Sequence, residues 1–221
     1  MKKLLCFLLA TVICVSLAGC GNSIDPVGEY KSQCVDVSTL LFEFLSGFER
    51  PTITIEKGNE NYVYTDKNFK GSAEIHNDRL VLSREEVTDA RYKDLLEDQL
   101  GEKDTYFMYE DYLISTSSSV EVEYGNLPQK DFADFGVTCI YDFSPFSIDF
   151  FDDGSCKFEF KSLGQEYLAE GGYEMRGQMI YITFSTYEEL GDNDSIKSGE
   201  SKFALFIKDG AIYDGVYQKT E

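Results

Sequence analysis

The chain has 221 residues, 43% of them apolar, with 20 Lys or Arg against 40 Asp or Glu and a formal net charge of −20. Its 17 Phe and 15 Tyr residues are enough for a packed core, which excludes a disordered chain despite the charge. The acidic field repels phosphate backbones and excludes a nucleic-acid-binding protein. The absence of Trp and the alternating runs of Phe, Tyr, Ile and Val favour strands over helices.

The N-terminal residues have the pattern of an export signal. Lys2 and Lys3 form a positive region, and the apolar stretch 4–17 that follows is too short to be a membrane-spanning helix. A four-residue motif then resembles the lipobox of bacterial lipoproteins: Leu17, Ala18, Gly19 and Cys20. The resemblance implies a lipoprotein signal peptide over residues 1–19, cleavage before Cys20, and lipid on the sulfur and amine of that cysteine.

Lipidation at Cys20 predicts where the protein resides. Each buried CH₂ contributes roughly 0.8 kcal/mol, so two or more acyl chains such as palmitate anchor a protein stably. We expect a cell-surface protein on the extracytoplasmic face of the cell membrane. The alternatives are an ordinary signal peptide with an accidental cysteine, or an uncleaved anchor.

Cleavage also changes the charge, because Lys2 and Lys3 leave with the signal peptide. The mature chain has 18 basic against 40 acidic residues and a net charge of −22. Such a charge keeps a protein soluble beside a membrane, which is the simplest interpretation. It also favours a basic partner or weak binding of divalent cations.

Three cysteines remain for the mature domains once the signal peptide and Cys20 are set aside: Cys34, Cys139 and Cys156. Their number is odd and their spacing fits no zinc site. We expect small buried apolar residues, with a disulfide between Cys139 and Cys156 as the alternative.

Residues 20–27 form a lipidated N-terminus and a short polar tether whose reach is about 15 Å for a flexible chain. The first domain is therefore expected close to the membrane. Five apolar residues then recur at helical spacing after Ser38, a suitable N-cap: Leu40, Leu41, Phe44, Leu45 and Phe48. We expect this amphipathic helix to plug one end of a barrel, with membrane contact or ligand gating as the alternative.

The rest of the chain repeats one plan of hairpins, with apolar residues alternating on either side of each turn. The first copy contains TITIEKGNENYVY and GSAEIHNDRLVLS, and the second is clearest from Ser147 to Phe184. Three pairs of turns correspond: Lys57-Gly58 with Asp153-Gly154, Glu74–Asn77 with Glu174–Gly177, and Glu110-Asp111 with Asp209-Gly210. We therefore predict a mainly β protein of two tandem small antiparallel β-barrel or meander units, with one or two short helices.

The boundary between the units is predicted at residues 125–130, which contain Pro128 and show no periodicity. The first β domain is then 28–124 and the second is 131–221. Strands of the second domain are predicted near residues 137–143, 147–152, 156–161, 172–175, 179–184, 202–208 and 211–218.

Two segments interrupt the hairpin pattern. Residues 84–103 form an insertion in the first copy, where apolar spacing predicts a helix capped by Ser83 with Glu86 three residues later. Residues 186–200 of the second copy are predicted to be a polar loop. The run Asp192-Asn193-Asp194 in that loop resembles the start of a calcium site, but an apolar side chain and a lysine follow where oxygen and glycine are needed, so no metal is expected.

Several short motifs resemble those of the small lipocalin-like, calycin-type domains of secreted bacterial lipoproteins. The matching residues are Gly28-Glu29-Tyr30 at the opening, Phe151–Gly154 at a turn, Gly172-Tyr173 in a hairpin and Gly215-Val216-Tyr217 at the close. The resemblance implies a small up-and-down barrel.

The sequence offers little for catalysis. His76 is the one histidine and falls at the tip of a predicted hairpin, where an exposed turn residue is the simpler interpretation than a general base. No phosphate loop, nucleophile elbow or metal-ligand spacing is present. With 40 acidic residues, no particular carboxylate pair is indicated. We expect no catalytic residue, no metal and no cofactor.

These observations predict a membrane-anchored, non-catalytic binding or interaction module. Units of six or seven short strands are expected to be filled by their own side chains, so that binding falls to loops and edges at the end away from the tether. A basic protein is the expected partner, and nucleic acid is excluded. The alternatives are a lipocalin-like carrier of a small apolar ligand and a carboxylate-based hydrolase.

Overall fold

The computed structural model describes residues 24–34, 49–117, 119–120, 141–143, 146–162, 165–190 and 195–220. The predicted signal peptide, Cys20, the predicted helix after Ser38, the predicted linker 125–130, Cys139 and the Asp192–Asp194 run lie outside the described residues. The chain is mainly β, as predicted. None of its described helices is long and apolar enough to cross a membrane.

The described residues contain sixteen strands. In chain order they are β1 (Gly28–Ser32), β2 (Thr52–Lys57), β3 (Tyr62–Thr65), β4 (Phe69–His76), β5 (Arg79–Val87), β6 (Lys103–Tyr109), β7 (Tyr112–Ser115), β8 (Ser119–Val120), β9 (Tyr141–Phe143), β10 (Phe146–Phe150), β11 (Ser155–Ser162), β12 (Gln165–Arg176), β13 (Met179–Leu190), β14 (Ser195–Lys208), β15 (Ala211–Tyr213) and β16 (Val216–Lys219). A ten-residue helical segment lies between β5 and β6, with α1 (Lys93–Leu96) flanked by 3₁₀ turns at Ala90–Tyr92 and Glu97–Gln99.

Eight antiparallel strands close a barrel in the order β1-β16-β7-β6-β5-β4-β3-β2. Alternate residues of each strand point inward, as in β6, where Tyr106 and Met108 belong to the barrel core and Phe107 faces outward. The inner core combines aliphatic and aromatic side chains: Tyr30, Ile53, Ile55, Tyr64, Phe69, Ala73, Leu80, Leu82, Tyr106, Met108 and Leu113.

The other eight strands form an open sheet in the order β8-β15-β14-β13-β12-β11-β10-β9. Strands β10 to β15 make its curled body, and β8 and β9 are short edges. Each strand occupies the position of its counterpart in the barrel, so β10 to β15 correspond to β2 to β7. Within the described residues β8 and β9 do not pair, and the sheet stays open where β1 and β16 close the barrel.

Backbone details confirm that the two sheets repeat one plan. Asn77 and Gly177, at corresponding turns, have φ of 60° and 57°, and Glu110 and Asp209 have φ of 50° and 53°. The long hairpins carry a register shift at the same place, at Gly71 in β4 and after Glu170 in β12. Positive φ in non-glycine residues is uncommon, so similar φ values at two pairs of corresponding turns indicate that the two copies share one backbone plan.

The copies exchange their last strands. Strand β8 leaves the first copy and pairs with β15 in the open sheet, while β16 leaves the second copy and pairs with β1 and β7 in the barrel. The predicted single strand 211–218 is therefore two strands in different sheets, separated at Asp214 and Gly215. The division at 28–124 and 131–221 stays a prediction for the domains, but β16 crosses it. The exchange also gives the barrel eight strands, not the six or seven expected.

Two local predictions are wrong. Residues 186–200 are not a polar loop, because β13 and β14 continue through most of this range and pair from Thr186 opposite Ser198 to Glu189 opposite Ser195. Ser83 does not cap a helix, because β5 continues past it to Val87 along β4. The helical segment begins later, where the Asp89 side chain accepts a hydrogen bond from the backbone N–H of Arg91.

A third core joins the barrel to the open sheet. Outward side chains of β6, β7 and β16 pack against outward side chains of β13 and β14: Phe107, Tyr112, Ile114 and Val216 against Met179, Ala204 and Phe206. The Tyr112 hydroxyl donates to that of Tyr181 at 3.2 Å, and Lys208 pairs with Asp78 at 3.2 Å. The apolar character of this junction indicates that the two sheets form one folded body.

Candidate binding site at the polar end of the barrel

The two ends of the barrel differ in chemistry. Residues 24–27, the end of the predicted tether, lead into β1 at Gly28, beside the turns that join β2 to β3, β4 to β5 and β6 to β7. The opposite end carries the helical segment and a layer of inward polar and aromatic side chains, which we call the polar end: Tyr64, Phe69, Arg84, Asp104, Tyr106 and Tyr217.

Arg84 is the charged centre of the polar end. It continues the inward positions of Leu80 and Leu82 along β5, so the side chain lies at the barrel mouth with 18% exposure. Its Nε and Nη2 donate to the two oxygens of Asp104 at 3.0 and 3.1 Å, a bidentate pair. Its guanidinium carbon lies 4.7 Å from the centre of the Phe69 ring.

Arg84 also ties the helical segment to the barrel. Its Nη1 donates to Gln99 at 2.9 Å and to Glu102 at 2.7 Å. Leu96 and Leu100 pack against the barrel core beneath this segment. The segment therefore covers part of the barrel mouth. The plug predicted from the sequence is a different segment, the helix after Ser38, which lies outside the described residues.

Three tyrosines line the interior behind Arg84. Tyr64 is 1% exposed, and its hydroxyl has no hydrogen-bond partner within the described part of the chain. Tyr106 is 8% exposed, and its ring meets that of half-buried Tyr217 edge-on at 6.0 Å. A buried hydroxyl without a partner costs free energy, so Tyr64 marks a position where a ligand or an ordered water completes the site.

The polar end is negative in spite of Arg84. Burial, with added repulsion from Asp66 and Asp104, raises the pKa of Tyr64 well above its ordinary value. Burial raises the pKa of Tyr217 to about 12, and the same two carboxylates add to the shift. The phenols therefore stay neutral at physiological pH and serve as hydrogen-bonding groups, not as bases or nucleophiles.

The outer surface has two grooves at the register shifts of the long hairpins. One, of about 270 Å³, lies beside Gly71 and Glu85, and the other, of about 440 Å³, lies beside Gly171 and Ser185. They occupy corresponding places in the two copies but differ in lining chemistry. Both grooves arise where the strands shift register, so they are explained by the repeated fold. We therefore do not prefer either groove as the binding site.

The residues considered from sequence are not brought together. His76 ends β4 on an exposed surface, with Nε2 at 3.2 Å from Glu74. Cys156 is 2% exposed in the core of the open sheet, and burial raises the pKa of its thiol to about 12. No group of potential metal ligands occurs among the described residues. Leu17, Ala18, Gly19 and Cys20 lie outside them.

Sequence reasoning assigned no residue of the polar end to a binding site. One signal was available, since Arg84 continues the apolar alternation of Leu80 and Leu82, and a charge at an inward position needs a partner. Asp104 and Tyr106 lie on β6, which pairs with β5, but the prediction of one insertion over residues 84–103 hides that pairing.

Comparison of the chain with models of known families, with characterised proteins and with solved structures found no match. The observations define a class by fold alone: a mainly β protein with a closed eight-strand antiparallel barrel and a curled open sheet.

Replacing Tyr64 with Phe should leave the unliganded protein as stable as the wild type, or up to about 1 kcal/mol more stable, because a hydroxyl without a partner is removed. Tyr30 is the matched control at the tether end, where its hydroxyl donates to the Pro26 carbonyl at 3.0 Å. Tyr30→Phe should cost about 1 kcal/mol. Urea unfolding of both variants measures the difference, and an equal loss in the two would show that Tyr64 has a partner.

Proposed function

We propose that the protein is a lipid-anchored, extracytoplasmic binding module without catalytic activity, and that the polar end of the barrel binds a basic partner. The observation that carries this proposal is the chemistry of the barrel ends, since the tether enters at one end and the polar side chains lie at the other. A protein anchored at Cys20 would present the polar end away from the membrane. The lipocalin-like resemblance is consistent with a barrel that binds at its mouth.

The surface around the polar end supports a basic partner. Residues 84–104 contain eight acidic and four basic side chains. On the helical segment Tyr92 is 46% exposed and Leu95 is 71% exposed, so apolar surface lies beside the acidic groups. Binding surfaces commonly combine an exposed aromatic residue with charged groups around it.

A second candidate function is a carrier of a small apolar ligand. It gains support from the strand count, because eight strands are enough to enclose one small ligand. The buried side chains of the barrel core and the Arg84–Asp104 pair favour a smaller and more polar occupant. A hydrolase has less support, because Asp104, the carboxylate inside the barrel mouth, is held in a bidentate pair with Arg84.

The test is recovery of partners from native surface material by residues 20–221, at low and at high salt. We expect recovery to fall as salt rises, because the attraction is between charges. The double variant Glu97→Lys with Asp98→Lys should lose the partner. The control Glu56→Lys with Glu60→Lys makes the same change of charge at exposed positions near the tether end and should keep it. Equal loss of partner recovery in the two double variants would contradict a site at the polar end.

The anchoring part of the proposal has its own prediction. Cys20→Ser should prevent lipid attachment, so that the protein is released from the membrane or accumulates with its signal peptide uncleaved. Detergent phase partition and mass spectrometry of the N-terminus measure both outcomes. A wild-type protein that stays in the aqueous phase with its signal peptide intact would rule out lipidation.

A further inference from the structure

The polar end contains a fully buried hydroxyl that has no hydrogen-bond partner among the described residues. The Tyr64 hydroxyl lies inside the barrel with 1% exposure of its residue and with no partner among the described residues. It is held there by its position in β3, opposite Gly71 of β4. A phenol that remains neutral presents an oxygen that accepts a hydrogen bond from a ligand that donates one.

The rings around this hydroxyl favour a cation. Tyr106 and Tyr217 meet edge-on at 6.0 Å, and both belong to the interior cluster that contains Tyr64. Aromatic faces attract ammonium groups through their quadrupoles. The guanidinium of Arg84 lies 4.7 Å from the centre of the Phe69 ring, so the polar end already contains one contact between a cation and an aromatic ring.

The charges at the polar end favour the same ligand. Asp104 and Glu102 both accept hydrogen bonds from Arg84, and Asp66 and Asp104 both add to the rise in the pKa of Tyr64. Arg84 uses four of its five N–H donors on Asp104, Glu102 and Gln99, and its guanidinium lies against the Phe69 ring, so little of the group is left to hold an anion. An added anion would meet uncompensated negative charge, whereas an added cation would balance it.

We propose that the polar end binds a primary ammonium group, whose N–H donates to the Tyr64 hydroxyl while the cation lies against Tyr106 and Tyr217. This inference rests on the proposed function, since it names the chemistry that the polar end recognises. The group is carried by a free aliphatic amine or by a lysine side chain of a basic partner. Both sources are slender, as the closely packed barrel core requires.

The experiment is calorimetric titration of residues 20–221 with two probes, n-butylamine and Nα-acetyl-lysine-amide. The matched controls are n-butanol and Nα-acetyl-norleucine-amide, which keep the chain and lack the charge. We expect binding of one or both amines and of neither control, and tyrosine emission provides a second signal because the chain has no Trp. Binding of n-butylamine without binding of the lysine probe assigns a free amine, and binding of the lysine probe alone assigns a side chain of a partner. Binding of both supports the ammonium site for either source.

Two variants locate the site. Tyr64→Phe should weaken amine binding by roughly tenfold to a hundredfold, the value of a hydrogen bond to a charged group. Tyr30→Phe, at the other end of the barrel, should bind as the wild type does. Equal affinity in wild type and Tyr64→Phe would overturn the inference, as would a crystal structure with amine in which Tyr64 contacts an ordered water alone.

Failure of this inference is distinct from failure of the proposed function. A protein that recovers a partner in a salt-dependent way but binds neither amine overturns the ammonium site and leaves the binding module standing. A protein that binds amines at Tyr64 but recovers no partner supports the ammonium site and opposes the basic protein as its source.

Discussion

Deletion of residues 215–221 is expected to abolish cooperative folding of the barrel. The deletion removes β16, which pairs with β1 on one side and β7 on the other. It exposes two strand edges and removes Val216, which is fully buried, and half-buried Tyr217. With about 1.5–3 kcal/mol for each buried apolar side chain and the loss of two ladders, we expect a cost above about 4 kcal/mol, a large share of a typical stability.

The measurement is thermal unfolding followed by circular dichroism, with proteolysis to locate the unfolded part. Gln218→Ala is the control, because its side chain is exposed on the same strand, and it should change stability by less than about 0.5 kcal/mol. A truncated protein that melts as cooperatively as the wild type would show that the barrel does not depend on the exchanged strand.

Gly171→Ala is expected to destabilise the open sheet by at least about 3 kcal/mol. A Cβ at Gly171 would lie 1.9 Å from the carbonyl oxygen of Thr183, and backbone must move to relieve that contact. Gly71→Ala should act in the same way on the barrel, since its Cβ would lie 1.8 Å from the carbonyl oxygen of Ser83.

Gly172→Ala is the matched control for Gly171, one residue along the same strand. A Cβ at Gly172 would have the carbonyl oxygen of Gly154 as its nearest neighbour, at 3.4 Å, which is an ordinary van der Waals distance. We expect a change within about 0.5 kcal/mol, because alanine in a strand also reduces the entropy of the unfolded chain. Chemical denaturation of the three variants measures the contrast, and a mild effect at Gly171 would mean that the register shift is adaptable.

The local plan of this fold was predictable because it depends on residues that are close in the chain. Turn chemistry and alternation locate the hairpins at Lys57-Gly58, Asp153-Gly154 and Glu110-Asp111, and the structure confirms each of them. A two-residue turn and the strands beside it interact within about ten residues, so their signal is complete in a short window.

The exchange of last strands was not predictable in the same way. Strand β16 has the alternation expected of a strand that continues after β15, and nothing in four residues says which sheet it joins. The choice depends on outward Val216 packing against Phe206 and Met179 and on inward Tyr217 packing against Tyr106, contacts between distant parts of the chain. Tertiary packing of this kind overrides a local pattern.

The polar end was missed for a related reason. Tyr64, Arg84 and Tyr217 lie in three separate segments, and only the closed barrel places them in one layer. The strand that supplies Tyr217 is the exchanged one. A site assembled in this way has no spacing motif, so its residues become visible only with the strand order.

The exchange of last strands is most directly tested by a protein in which a short turn joins β7 directly to β16, so that the barrel closes without the second copy. The backbone N–H of Ser115 donates to the carbonyl of Gly215 at 2.8 Å, so Asn-Gly between these two residues would form a two-residue turn. The protein made of residues 24–115, Asn-Gly and 215–221 should show strand-rich circular dichroism and a cooperative melt, whereas residues 24–117 alone should show neither. Residues 24–117 that fold as well as the graft would contradict closure of the barrel by β16.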